Sequence, residues 1–186
     1  MAESVDAPDL KSVDHCGRGG SSPPAPIVTD NFLIPGTYRE LNRIVSSPKF
    51  PWYWANSPGE PGQHTSMLYY DHEFTPTVDG KLKRILGTIC DRLGACAVMR
   101  IKMNSTPQTE TIEHQEWHKD WDVTTPQKTA VLYFTTCDGY TEFANGTIVE
   151  SVENRCLSFD TPLIHRGTTT TNEERRLVMN INYFEK

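Results

Sequence analysis

The chain has 186 residues, a length that suits one domain with a tail. Its net charge of -6 argues against a general nucleic-acid surface, and 37% apolar with 10% aromatic residues is material for one ordinary core. No apolar run approaches membrane-spanning length, and the N-terminus lacks the basic start and apolar stretch of a signal peptide. The five cysteines (Cys16, Cys90, Cys96, Cys137 and Cys156) are odd in number and form no C-x-x-C. That predicts reduced thiols in a cytoplasmic protein and disfavours a structural zinc site.

Residues 1–26 have no hydrophobic period and end in a Gly/Ser/Pro-rich run, which predicts a disordered tail. A sharper hypothesis attaches to the tail. Under plausible codons Gly19-Gly20-Ser21-Ser22-Pro23 spells the T arm of a transfer RNA gene, and Ala2 to Leu10 resembles a translated half of a bacterial leucine transfer RNA. The segment then reads as transfer-RNA-derived read-through, which the nucleotide sequence checks. Residues 27–186 are expected to form the folded domain.

Pro35 and Gly36 precede apolar residues at Tyr38, Leu41, Ile44 and Val45, a spacing that predicts a helix over 36–46. Trp52, Tyr53 and Trp54 cluster next, either as packing or as cover for a substrate mouth. Residues 57–66 are a Pro/Gly-rich loop, and 67–74 suit a strand. Asp71-His72 within it has no acidic or imidazole partner two positions from His72, so a metal role there is disfavoured. Leu82, Ile85, Leu86, Ile89 and Leu93 make one helical stripe with Gly94 as its C-terminal cap. From Ala97 the pattern turns to short β-rich runs, and Asn145-Gly146 predicts a two-residue hairpin turn. Helices first and strands after predict an α+β chain, closed as a double-sheet jelly roll braced by N-terminal helices.

The chemistry concentrates in Glu113 to Asp122 and in two residues downstream, His165 and Arg176. His118 and Asp120 are two apart, so on a strand they share a face and reach one metal. With six histidines and 24 acidic residues, about one such pair arises by chance, and His114-x-Glu116 is a rival. His165 lies 45 residues beyond Asp120, after a strand and a Pro-containing turn. Two histidines and one carboxylate with open positions are the facial triad of non-haem Fe(II) oxygenases. Arg176 lies eleven residues beyond His165. An arginine there suits the distal carboxylate of a chelating 2-oxo diacid, because it binds bidentately and keeps its charge. Alternatively Arg175-Arg176 is a surface basic pair. Strand parity separates the two: if Leu177, Met179 and Ile181 face the helices, then Arg176, Val178, Asn180 and Asn182 face the other way, and Arg175 does not.

Taken together, H-x-D, a strand containing Ala130 to Phe134, Gly139 to Phe143 with the following Asn-Gly-Thr, a strand ending at Asp160, then P-x-x-H-R-G-T and R-x-x-x-N-x-N-Y-F resemble the 2-oxoglutarate- and Fe(II)-dependent oxygenase superfamily. The likeness is to its prolyl-hydroxylase-like branch of bacteria and phages, and it covers residues 28–186. It implies a double-stranded β-helix with His118, Asp120 and His165 as iron ligands and Arg176 as the 2-oxoglutarate anchor. It places Tyr133 on the same carboxylate. It implies Fe(II), 2-oxoglutarate and dioxygen as cofactor and cosubstrates, with succinate and carbon dioxide released. The Asp120 carboxylate implies hydroxylation, since related halogenases carry a small residue at that position. The chain departs from many prolyl hydroxylases between Arg100 and Asn104, where a tyrosine that reaches the cosubstrate is absent; Arg100, Lys102 and Asn104 are its candidate substitutes.

The primary substrate stays open among a prolyl residue in a protein, a free amino acid, a nucleobase and a small metabolite. Two other classes compete with the oxygenase. A non-enzymatic jelly-roll binding module would bind neither Fe(II) nor 2-oxoglutarate. A zinc hydrolase on the same ligands would act without oxygen, but only His114 or Glu116 offers a general base. Cytoplasm is the expected location, bacterial or that of a host if the gene is phage-borne.

Overall fold

The computed structural model of the chain describes residues 25–55, 61–121 and 127–186. The tail expected over 1–26 falls almost wholly outside the described residues, as does Asp122. In chain order the elements are β1 (Ile27–Thr29), α1 (Pro35–Val45), β2 (Tyr53–Ala55), β3 (Gln63–Tyr70), β4 (Glu73–Phe74), α2 (Gly80–Arg92) and β5 (Ala95–Pro107). There follow β6 (Lys128–Tyr133), β7 (Tyr140–Phe143), β8 (Ile148–Glu150), β9 (Cys156–Asp160), β10 (His165–Gly167) and β11 (Arg175–Glu185).

Both helices start where the sequence offers a reason. Proline opens α1, where its missing N–H costs nothing. Asp79 caps α2 by accepting from the backbone N–H of Lys81 and Leu82 at 3.0 and 2.8 Å. Gly94 follows α2 at φ +66°, the left-handed conformation that ends a helix cheaply in glycine. The buried stripes, Tyr38, Leu41 and Val45 on α1 and Leu82, Ile85, Leu86 and Ile89 on α2, pack on one face of a large sheet.

That sheet is antiparallel, in the order β1-β9-β6-β11-β5-β3-β2, with β4 added beside β3. A smaller sheet, β10-β7-β8, lies over its other face. Residues 113–118 extend the smaller sheet without forming a continuous strand. They meet β10 and the residues just after it at two isolated bridges, His114 with Thr168 and His118 with His165. The H-x-D segment is therefore an irregular edge and not the regular strand that spacing suggests.

Alternation along the central strands divides the interior in two. Leu177, Met179, Ile181 and Tyr183 of β11 join Ile101, Met103, Ala130 and Leu132 against the helices. Val178 instead joins Val131, Tyr133, Leu157 and Phe159 between the sheets, with Phe143 and Val149 of the smaller one. This is an α+β chain folded as a double-stranded β-helix, a jelly roll braced by N-terminal helices.

Two local expectations change. Asp71 and His72 are both positive-φ residues in the turn between β3 and β4, so the expected strand over 67–74 breaks there. Gly146 has φ +84° but Asn145 stays negative, so β7 and β8 are joined by residues 144–147 and not by a two-residue turn. Thr168, Thr169 and Thr170 are fully buried, and their hydroxyls bond to backbone and to neighbouring polar groups, so this run is packing.

Candidate metal centre

His118 and His165 are a directly opposed antiparallel pair, each backbone N–H donating to the other's carbonyl at 3.0 Å. Opposed side chains on one face are neighbours, and here the ring centroids stand 4.6 Å apart. Asp120 adds its carboxylate two residues beyond His118. One candidate ligand atom from each of the three residues lies within 4.8 Å of the others.

The imidazoles are oriented alike. His118 Nδ1 lies 2.9 Å from the carbonyl of Glu116, and His165 Nδ1 lies 2.9 Å from that of Leu163. A carbonyl only accepts, so each Nδ1 carries the proton and each Nε2 presents its lone pair. His165 is 3% exposed, with the Phe159 ring 4.7 Å away. Burial lowers its pKa, although the Leu163 carbonyl and the Asp120 charge oppose this. A neutral imidazole is what a metal requires.

Asp120 is enclosed by donors. Thr129 Oγ1 and Asn182 Nδ2 each donate to Oδ2 at 2.9 Å, and Arg100 Nη2 meets Oδ1 at 3.2 Å. Burial alone would raise its pKa, but the Arg100 charge, the Asn182 and Thr129 hydrogen bonds and the His165 charge outweigh it, and the net shift is downward. The group is an anion ready to accept a cation.

A cavity of about 310 Å³ between the sheets holds all three residues and runs to Arg176. Arg176 is 4% exposed and reaches it from β11, while Arg175 lies on the opposite strand face beside the Trp52 ring. Arg176 Nη2 donates to Thr141 Oγ1 at 3.0 Å, and its guanidinium lies 5.5 Å from the Tyr133 ring centroid. The Tyr133 hydroxyl donates to the same Thr141 oxygen at 2.8 Å. Tyr133 thus braces the arginine through Thr141 and its ring. A Cβ added at Gly139 would stand 2.6 Å from Arg176 Cδ, so the guanidinium has this seat only because glycine leaves room.

The cavity wall fits a polar ligand. Asn104 Oδ1, Asn180 Oδ1 and Arg176 Nε are buried without a hydrogen-bond partner, and all three residues line it. Orphaned polar atoms at one wall are uncommon and imply a group that satisfies them. Of the three proposed substitutes for the missing tyrosine, Arg100 is engaged with Asp120, while Lys102 and Asn104 line the stretch of β5 towards Arg176.

The rival pair does not join this site. His114 Nε2 lies 3.0 Å from the Tyr140 hydroxyl and 3.9 Å from Glu142. Trp52 packs against the core, whereas Tyr53 and Trp54 are exposed; none of the three lines the cavity. Sequence reasoning passed over Thr129 and Thr141. Each faces the cavity side from a strand that reads as ordinary β structure, and a lone threonine there carries no signal.

No protein-family model matches the sequence, and no curated protein matches it. Its fold is shared with solved structures. A prolyl-4-hydroxylase from Pseudomonas putida is 14% identical with a TM-score of 0.63, covering 87% of this chain and 92% of that one. The non-haem alpha-ketoglutarate-dependent epimerase SnoN from nogalamycin biosynthesis is 11% identical at 0.62, covering 86% and 77%. A prolyl hydroxylase from Trichoplax adhaerens, solved with a hypoxia-inducible-factor peptide, is 13% identical at 0.59, covering 86% and 83%. The chain has the fold of the 2-oxoglutarate- and Fe(II)-dependent oxygenases, prolyl hydroxylases among them.

Proposed function

We propose that the chain is a 2-oxoglutarate- and Fe(II)-dependent dioxygenase that hydroxylates a primary substrate and releases succinate and carbon dioxide. One observation carries the reading: one ligand atom from each of His118, His165 and Asp120 converges within 4.8 Å of the others in a cavity that also holds a buried guanidinium. His118, Asp120 and His165 would hold the iron, and Arg176 the distal carboxylate of the cosubstrate. When bound, the iron and 2-oxoglutarate together would supply the oxidising chemistry that activates dioxygen.

The chain's own contribution is orientation and dryness. The Glu116 and Leu163 carbonyls fix the imidazole tautomers, and Thr129, Asn182 and Arg100 fix the carboxylate. Phe143 and Phe159 shield His165 from water. Arg176, braced by Thr141 and Tyr133, holds a charged group in a low-dielectric pocket where its attraction to a carboxylate is strong. The Asp120 carboxylate supports hydroxylation over halide transfer. The substrate is a prolyl residue, a free amino acid, a nucleobase or another small metabolite that places a C–H bond beside the metal. Reduced thiols at Cys90, Cys96, Cys137 and Cys156 accord with a cytoplasmic setting.

The test is anaerobic titration of the metal-free protein with Fe(II) and 2-oxoglutarate, watching for the weak visible charge-transfer band of the chelate. The band is expected in wild type and absent in His118→Ala and Asp120→Ala, which should also lose iron. Iron binding without the band refutes the cosubstrate assignment, and no iron binding refutes the enzyme.

A further inference from the structure

The Asp120 carboxylate is held more completely than orientation alone requires. Asn182 is wholly buried and uses both ends of its amide: Oδ1 accepts from Arg100 Nε at 2.9 Å, and Nδ2 donates to Asp120 Oδ2 at 2.9 Å and to Thr129 Oγ1 at 3.0 Å. The Thr129 hydroxyl donates to the same Asp120 Oδ2 at 2.9 Å, and Arg100 Nη2 meets Oδ1 at 3.2 Å.

Lone pairs can be counted. An ionised carboxylate offers roughly four lone-pair positions, two on each oxygen. Thr129 and Asn182 fill both on Oδ2, and Arg100 takes one on Oδ1, so one position on Oδ1 remains. A carboxylate free of such partners can bind a cation through both oxygens. Two-oxygen binding would close a coordination position that a chelating cosubstrate needs.

We propose that Thr129, Asn182 and Arg100 form a denticity lock, which restricts Asp120 to bind the metal through Oδ1 alone and so keeps the neighbouring position open for 2-oxoglutarate. The inference rests on the function proposed above and adds to it a role for three positioning residues. They come from three adjacent strands, with Asn182 of β11 paired to Arg100 on β5 and to Thr129 on β6. The lock is therefore as rigid as the centre of the large sheet.

The experiment compares the full chain as wild type, Thr129→Val, Thr129→Ser and Asn182→Leu. Valine is nearly isosteric with threonine and removes only the hydroxyl; serine keeps it. Mn(II) affinity is measured first by the loss of the free-ion resonance, and then 2-oxoglutarate affinity is measured by calorimetry on Mn(II)-saturated protein. Thr129→Val and Asn182→Leu should hold Mn(II) within about threefold of wild type and lose about tenfold or more in 2-oxoglutarate affinity, with Thr129→Ser like wild type. Unchanged 2-oxoglutarate affinity in Thr129→Val and Asn182→Leu overturns the lock. So does a metal affinity that falls about tenfold or more while 2-oxoglutarate binds normally at metal saturation, since that is plain ligand orientation. If Asn182→Leu does not fold, Thr129→Val decides. Wild type that binds Mn(II) without 2-oxoglutarate overturns the function proposed above, and the lock with it.

Discussion

Replacing Arg176 with methionine should make the protein more stable and unable to hold its cosubstrate. Arg176 is a buried cation with no carboxylate partner among the described residues, and burial pulls its pKa down against the favourable influence of Tyr133 and Cys137. Its main hydrogen-bond partners keep other donors when it goes: Thr141 Oγ1 still receives the Tyr133 hydroxyl, and the Thr168 carbonyl still receives Thr106 Oγ1. A neutral side chain of similar length should therefore stabilise the metal-free fold by about 1–2 kcal/mol. That is a melting temperature higher by roughly 2–8 °C for a domain of this size. Binding moves the other way. A hydrogen bond to a charged group contributes about 1.5–3 kcal/mol, so two from one guanidinium contribute at least about 3 kcal/mol. Their loss weakens 2-oxoglutarate by more than about a hundredfold. Thermal denaturation reads both effects, the first on metal-free protein and the second on Mn(II)-saturated protein. At 2-oxoglutarate about 100-fold above the wild-type Kd, linkage stabilises wild type by about 2.7 kcal/mol, a shift of roughly 5–11 °C. The variant should shift by less than about 2 °C at the same concentration. A full shift in Arg176→Met would move the anchor elsewhere, and a lower metal-free melting temperature would refute the argument that the charge is buried at a cost.

Groups away from the metal give two further outcomes. Asp138 accepts from the Thr171 hydroxyl, from the Thr171 backbone N–H at 2.9 Å and from Thr170 Oγ1 at 2.7 Å; desolvation works to raise its pKa, but these bonds, the Thr171 hydroxyl's foremost, prevail and hold it below its ordinary value near 3.8. The clasp therefore stabilises the fold in full above pH 3.8 and loses its contribution as pH falls through the depressed folded value. In melting curves between neutral pH and pH 3, wild type should lose more stability than Asp138→Asn; equal losses would show that the clasp carries no linkage. Burial pushes the Cys156 thiol up to about 12, whereas Cys96 is exposed. Under iodoacetamide at pH 8, mass spectrometry should find Cys96 alkylated and Cys156 protected until the protein is denatured, and early labelling of Cys156 would contradict its packing.

Much of the site's arrangement was legible because it comes from periodicity. The stripe from Leu82 to Ile89 and the parity of β11 needed only periods of 3.6 and 2, and those periods put Arg176, Asn180 and Asn182 on the face away from the helices. What stayed hidden depends on pairing between distant segments. That His118 faces His165 is a matter of register between an irregular edge and a three-residue strand, for which neither segment has a local signal. Nothing in the sequence near Thr129 or Thr141 says that Asp120 and Arg176 arrive beside them. The turn at Asn145-Gly146 shows the converse limit: the dipeptide marks a turn correctly, but only Gly146 takes the left-handed conformation that a two-residue turn requires of both, and the connection is longer.

The register of β11 explains why scaffold and chemistry cannot drift apart. Leu177, Met179, Ile181 and Tyr183 are each no more than 2% exposed among the helix-facing core. A slip of one residue would turn all four towards the cavity, losing roughly 1.5–3 kcal/mol for each buried side chain. The same slip would press Arg176, Asn180 and Asn182 against Leu41 and Ile89, with about 1–3 kcal/mol for each polar group left without a partner and more for the charge. The total, on the order of 10–20 kcal/mol, is as large as the roughly 5–15 kcal/mol by which a domain is stable, so the slipped register does not compete with the native one. The apolar row thus holds the polar row in register, and the polar row needs no other device to bring Arg176 to the cavity wall and Asn182 to the Asp120 carboxylate. Substitutions that shave the apolar row should act on how much protein is folded, and only those in the polar row on how well the folded protein binds its metal and cosubstrate.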